Sequence, residues 1–285
     1  MGLIYRILNR FCSQPISPVY YTEQLVDSYN GRSLVGDDLE GKIAIVTGGY
    51  GGIGGAITRR LLIEGCTVYV CGRNAEKIDA FIKQLNDKGF TKAFPLIIDN
   101  SNHESVRREL DNLLNMVNVD ILVNCAGVFT EADRTHRFRS VSIEEYTHVV
   151  NINLKSSMLF SYYIIQHMLS NNIRGHVLNI SSVNGLFKSE SFTPYGISKA
   201  SVIAFTESLS KKYKGDIIVN GIAPGPVVSD MSHKFLGDNI VRGGGNSLNR
   251  YNIPEEIAAL VAYLCSKNGC FFNGRTIEAS SCHKV

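Results

Sequence analysis

The chain has 285 residues, a formal net charge of +3 and 44% apolar residues. That length can bury one large core, and the apolar content excludes a disordered chain. The small charge, with no long run of one sign, gives no reason to expect nucleic acid, and no stretch reaches the ~18 apolar residues of a membrane-spanning helix.

The first 40 residues read as an extension. In MGLIYRILNRF, Leu3, Ile4, Ile7, Leu8 and Phe11 recur at helical spacing, and Arg6 and Arg10 are the only charges. The preferred reading is a stripe that packs on the body of the protein or on a second subunit. The other reading is a small basic amphipathic helix that touches a membrane or serves as an import signal. Residues 12–40, with Pro15, Pro18 and scattered Gly, Ser and Asp, read as a linker, so the folded domain is expected at 41–285.

From Gly41 onward, short β-rich runs alternate with longer helical patterns. Strands are expected at 42–47, 67–71, 93–98, 120–124, 176–181, 216–222 and 275–278. Helices are expected near 53–64, 75–88, 102–117, 142–170, 195–213 and 254–266. This alternation predicts βαβ units. The expected fold is one α/β domain of Rossmann type, doubly wound, with a mostly parallel seven-stranded sheet. A ligand then belongs at the switch point, beyond the carboxyl ends of the strands. The seven cysteines are odd in number and lack C-x-x-C spacing. They read as reduced, mostly structural thiols in a cytoplasmic protein, with no metal site. Asn179-Ile180-Ser181 spells a glycosylation sequon inside a strand pattern and is discounted.

Between the first strand and first helix lies Thr47-Gly48-Gly49-Tyr50-Gly51-Gly52-Ile53-Gly54. A turn so bare lets a pyrophosphate approach the backbone, where free N–H groups and the helix dipole attract it. The glycines fit G-x-G-x-x-G, T-G-x-x-x-G-x-G and T-G-x-x-G-x-x-G alike. An NAD site wants an acid about 20 residues on, to bind the ribose 2′-OH. Here the second strand ends in Gly72-Arg73-Asn74, with no acid. A guanidinium suits a 2′-phosphate, so NADP(H) is favoured over NAD(H).

Tyr195 and Lys199 stand four apart at the head of a helix, hence on one face. A neighbouring ammonium brings a tyrosine pKa toward working range. Ser182 follows the fifth strand, 13 residues before Tyr195. Its neighbour Ser181 is a rival, and the spacing favours Ser182. Asn124-Cys125-Ala126-Gly127 ends the fourth strand, Asn153 lies in a helical stretch, and Pro224-Gly225-Pro226-Val227 follows the sixth strand.

With these motifs in order, the sequence resembles the short-chain dehydrogenase/reductase family, in its compact single-domain branch, over about residues 41–279. The resemblance implies a hydride exchanged between a nicotinamide and a small carbonyl or secondary alcohol, such as a 3-oxoacyl thioester. It implies a cofactor turn at Thr47, Gly48, Tyr50, Gly52, Ile53 and Gly54, and adenosine contacts from Arg73, Asn74, Asp99 and Asn100. It further implies cofactor contacts from Asn124, Ala126, Gly127, Pro224, Gly225, Val227 and Ser229. Ser182 would orient the substrate oxygen and Tyr195 would protonate it. Lys199 would hold the nicotinamide ribose and lower the tyrosine pKa. Asn153 would anchor a relay water, and the protein would form a homodimer or homotetramer.

Three departures stand out. Cys125 replaces the second Asn of the N-N-A-G motif. Ile277-Glu278-Ala279-Ser280 replaces the usual V-D-G-G, which weakens the case for the usual tetramer. The lid expected near 231–251 is short and holds Gly243-Gly244-Gly245, which argues for mobility and against a long-chain or steroid substrate. The rival readings are a catalytically silent NADP-sensing or scaffold protein on the same fold, and a sugar epimerase or dehydratase.

Overall fold

The structure is a computed structural model that describes residues 33–130, 142–187, 193–229 and 251–280. The stripe at 1–11, the linker up to residue 32 and the lid apart from Tyr251 lie outside the described residues. The described chain runs β1 (Ile43–Thr47), α1 (Gly52–Ile63), β2 (Thr67–Gly72), α2 (Ala75–Asp87), β3 (Ala93–Ile97), α3 (His103–Leu114) and β4 (Ile121–Asn124). It continues with α4 (Ile143–Val150), a π-helical turn (Asn151–Lys155), α5 (Ser156–Ser170), β5 (His176–Ile180) and the short α6 (Val183–Leu186). Then follow α7 (Thr193–Tyr213), β6 (Ile218–Pro224), α8 (Pro254–Cys265), a 3-10 turn (Lys267–Gly269) and β7 (Thr276–Ala279).

The seven strands form one sheet in the order β3-β2-β1-β4-β5-β6-β7. Every pairing is parallel, as the crossover helices require. Both faces are covered, which is why the strands read as continuous apolar runs. In β1, Ala44 and Val46 pack among residues of α1, α2 and α8, while Ile45 packs among those of α3 and α5. The order reverses between β1 and β4, and this opens a crevice above their carboxyl ends. No helix among the described residues is long and apolar enough to cross a membrane.

Two elements differ from expectation. The helix read as one at 142–170 is interrupted by the π turn at Asn151–Lys155. Such turns gather at functional sites, and Asn153 sits within this one. Residues 33–40, read as the end of a linker, are packed onto the domain. Leu39 is buried, and Asp38 accepts from the Lys267 amide at 3.1 Å. Glu64, itself buried, accepts from the Ser33 hydroxyl, from the Leu34 amide at 2.9 Å and from Arg60 at 3.1 Å.

Candidate active site

The glycine turn is shaped by what would collide with it. Gly48 has a φ of +66°, a conformation that side chains avoid. A Cβ there would also lie 3.2 Å from Ala126 Cα. A Cβ on Gly52 would lie 2.7 Å from Ser229 Cβ, and one on Gly54 would run into the Gly48 carbonyl oxygen. The Gly48 and Gly51 amides donate to Cys71 and Gly48 carbonyls at 2.8 and 3.1 Å, which closes the turn. Gly51 caps α1, so the first-turn amides of Gly52, Ile53 and Gly54 head the helix. Thr47 stays below: its Oγ1 accepts from the Cys125 and Ala126 amides at 3.0 and 3.1 Å and ties β1 to β4.

At the end of β2, Arg73 and Asn74 are exposed, and Asn74 Oδ1 caps α2 by accepting from the Lys77 amide at 2.8 Å. Asp99 is exposed nearby. Its carboxylate accepts from the Ser101 hydroxyl at 2.7 Å and the Ser101 amide at 3.0 Å. These bonds, and more weakly the charge of Arg73, hold its pKa below the usual value. Asn100 Oδ1 accepts weakly from the buried Cys71 thiol.

The other half of the crevice gathers Ser182, Tyr195, Lys199 and Asn153. Lys199 is buried, and its Nζ donates to the Ile180 carbonyl at 2.8 Å and stands 5.7 Å from the centre of the Tyr195 ring. Burial lowers its pKa to about 8. A Cβ on Gly127 would lie 3.2 Å from that Nζ, so the loop after β4 reaches both Lys199 and, through Ala126, the glycine turn. Ser182 caps α6, its Oγ accepting from the Asn184 amide at 3.2 Å. Asn153 is buried and clamps Val128: Oδ1 accepts from its amide at 2.8 Å and Nδ2 donates to its carbonyl at 2.9 Å. The same Nδ2 donates to Ser198 Oγ at 2.9 Å.

Ser198, which had no predicted role, and Ser181, the rival of Ser182, complete this half. Ser198 donates to the Tyr195 carbonyl at 2.7 Å, and Ser181 donates to the Lys199 carbonyl at 2.8 Å. Ser181 thus faces the α7 backbone, whereas Ser182 heads α6. A Cβ on Gly185 would lie 2.7 Å from Lys199 C, so α6 is pressed against α7 at this point. Sequence spacing marked Tyr195 and Lys199; the tethering serines carry no spacing of their own.

Asn124 ends β4. It is buried, and its Nδ2 donates to Asn179 Oδ1 at 2.8 Å and to Ser161 Oγ at 3.1 Å. Asn179 passes the chain on to Thr206 at 2.9 Å, and that burial bars the sequon from glycosylation. Cys125 is a free thiol that burial pushes up to about 12, so it stays protonated. Gly225 donates to the Ala279 carbonyl at 3.0 Å, and Val227 bridges to Asn252, which fixes the segment after Pro224 against β7. A cavity of about 630 Å³ lined by Ile173, Arg174, Lys214 and Asp216 opens at the amino ends of β5 and β6, the opposite edge of the sheet.

A crevice that offers a phosphate-sized turn and a tyrosine–ammonium pair to the same ligand defines a nicotinamide-dependent oxidoreductase. The family model for short chain dehydrogenase matches residues 42–239. The 3-oxoacyl-(acyl-carrier-protein) reductase FabG of Aquifex aeolicus is 31% identical over 246 residues, 85% of this chain and 97% of that protein. The acetoacetyl-CoA reductase of an Acinetobacter strain is 33% identical over 244 residues, 84% of this chain and 96% of that one. The solved 3-oxoacyl-(acyl-carrier protein) reductase of Brucella melitensis, with bound NAD, has the same fold. Its TM-score is 0.77 at 23% identity, over 87% of this chain and 92% of that one. The chain belongs to the short-chain dehydrogenase/reductase family, and it is an NAD(P)-dependent enzyme.

Proposed function

We propose that this enzyme is an NADP(H)-dependent reductase of 3-oxoacyl thioesters that works through Ser182, Tyr195, Lys199 and Asn153. The observation that carries the reading is the buried Lys199 ammonium beside the Tyr195 ring, with its pKa lowered to about 8. A positive charge in that position favours the phenolate and brings Tyr195 toward the range of a proton donor at neutral pH. The names of the FabG and acetoacetyl-CoA reductase relatives support the thioester class. Arg73, exposed at the end of β2 without an acid beside it in sequence, supports the 2′-phosphate.

The residues present fit a dinucleotide. Gly48, Gly52 and Gly54 leave a cradle that a Cβ would fill or distort, and the first amides of α1 face it with the positive end of the helix dipole. When bound, the cofactor supplies the hydride. Tyr195 donates its proton to the substrate oxygen. Ser182 Oγ donates a hydrogen bond to the same oxygen as negative charge grows there. Lys199 returns charge balance as Tyr195 gives up its proton. Asn153 is a positioning residue in this reading: its amide already engages Val128 and Ser198, so it holds the loop after β4 against the head of α7.

The test is NADPH consumption with an acetoacetyl thioester, run beside diketones, keto sugars and aromatic aldehydes. Tyr195→Phe is expected to lower kcat by about 10²–10⁴-fold while NADPH still binds. Undiminished turnover by that variant would remove Tyr195 as the acid. Turnover of another carbonyl in place of the thioester would replace the substrate class and leave the chemistry.

A further inference from the structure

The last residue of β2 is Gly72, and its backbone is not in the left-handed region that calls for glycine. Its carbonyl accepts from the Ile98 amide at 2.9 Å, an ordinary link to the end of β3. What the position lacks is space. A Cβ at residue 72 would run into Tyr50 Cε1, with Tyr50 Cδ1 and Cζ at 3.3 and 3.4 Å. The Tyr50 ring therefore lies on Gly72. It is half-buried and packs against the core shared by α1 and α2, so it is braced from behind.

Residue 72 stands about 20 residues beyond the glycine turn, where a carboxylate would reach a ribose 2′-OH. We infer that Tyr50 sets the cofactor selectivity: its ring covers Gly72, so a side chain at that residue, a carboxylate included, would have to displace the ring. Arg73 is left as the charged group at that place. The inference rests on the reading that a dinucleotide binds at this turn through its 2′-phosphate. It makes selectivity a property of two positions, since an acid at residue 72 has room only when the ring of Tyr50 is displaced or gone.

The experiment measures NADPH and NADH dissociation constants, by nicotinamide fluorescence, together with melting temperatures. The proteins are the parent, Gly72→Ala, Gly72→Asp, Tyr50→Ser and the two double variants. Gly72→Ala is expected to lower the melting temperature in the parent background and not when combined with Tyr50→Ser. Gly72→Asp alone is expected to weaken both dinucleotides. Tyr50→Ser with Gly72→Asp is expected to shift the affinity ratio toward NADH by about tenfold or more. An equal melting cost of Gly72→Ala in both backgrounds would overturn the inference. So would a switch to NADH by Gly72→Asp alone at unchanged melting temperature. Equal affinity of the parent for both dinucleotides would sink the 2′-phosphate reading only, because the comparison of single and double variants still decides the role of Tyr50.

Discussion

The two halves of the crevice are built by opposite means. On the β1–β2 side the site is made by leaving atoms out: Gly48, Gly52, Gly54 and Gly72 each stand where a Cβ would meet backbone or side chain. On the β5–α7 side it is made by adding tethers: Ser181, Ser198 and the Asn153 amide hold the backbone that carries Tyr195 and Lys199. The first half fails when an atom is added, and the second when one is removed. In the proposed function, binding and proton transfer should therefore be separable by mutation.

The sharpest break on the first side is Gly54→Ala. Its methyl group meets the Gly48 carbonyl, a backbone atom that cannot turn away. Overpacking of this kind costs about 1–3 kcal/mol. Loss of dinucleotide binding with a lowered melting temperature is expected, and unchanged titration curves would show a turn that yields.

On the second side the largest effect is that of pH. The Lys199 ammonium is present below about 8 and lost above it. The kcat/KM for carbonyl reduction should be flat below that value and fall about tenfold per pH unit above it. Stability carries the opposite sign. Because burial depresses the folded pKa, the unfolded chain holds more protons from about 8 up to the ordinary lysine range. Parent stability should rise across that window, and Lys199→Met should remove the rise. A pH-rate profile and denaturant melts at several pH values check both.

Smaller effects sharpen the comparison. Arg73→Asp should weaken NADPH by about tenfold, the effect of one charge-assisted hydrogen bond, and leave NADH nearly unchanged. Equal losses would remove the 2′-phosphate argument. Ser198→Ala should be mildest, costing about 1 kcal/mol of tethering. It should lower kcat severalfold at constant KM and move the upper pH limb, with Ser198→Thr restoring both. A change in melting temperature alone would make Ser198 merely structural.

The sequence was most legible where chemistry and period coincide. The strands appeared at their places because parallel strands buried on both faces leave unbroken apolar runs. The glycine turn and the Tyr195–Lys199 spacing were visible because each is local. What escaped notice is contact between distant residues. Gly72 reads as an ordinary strand end until Tyr50 is seen lying on it. Asn153 was marked by the family resemblance, but its clamp on Val128 from within a π turn was not. The chain that links Asn124 through Asn179 to Thr206 has no mark in the sequence.

The Glu64 carboxylate bears on where this protein can be shortened. Its partners Ser33 and Leu34 lie upstream of the first strand, and Arg60 is the remaining cation at its side. A form trimmed to begin at Gly41, the boundary that the motifs alone suggest, would strip the buried carboxylate of those donors and uncover the space that Leu39 fills. Lost hydrogen bonds to a charged group and lost apolar packing both lower stability. A truncation series read by thermal melting is expected to show a step in stability between residues 33 and 41.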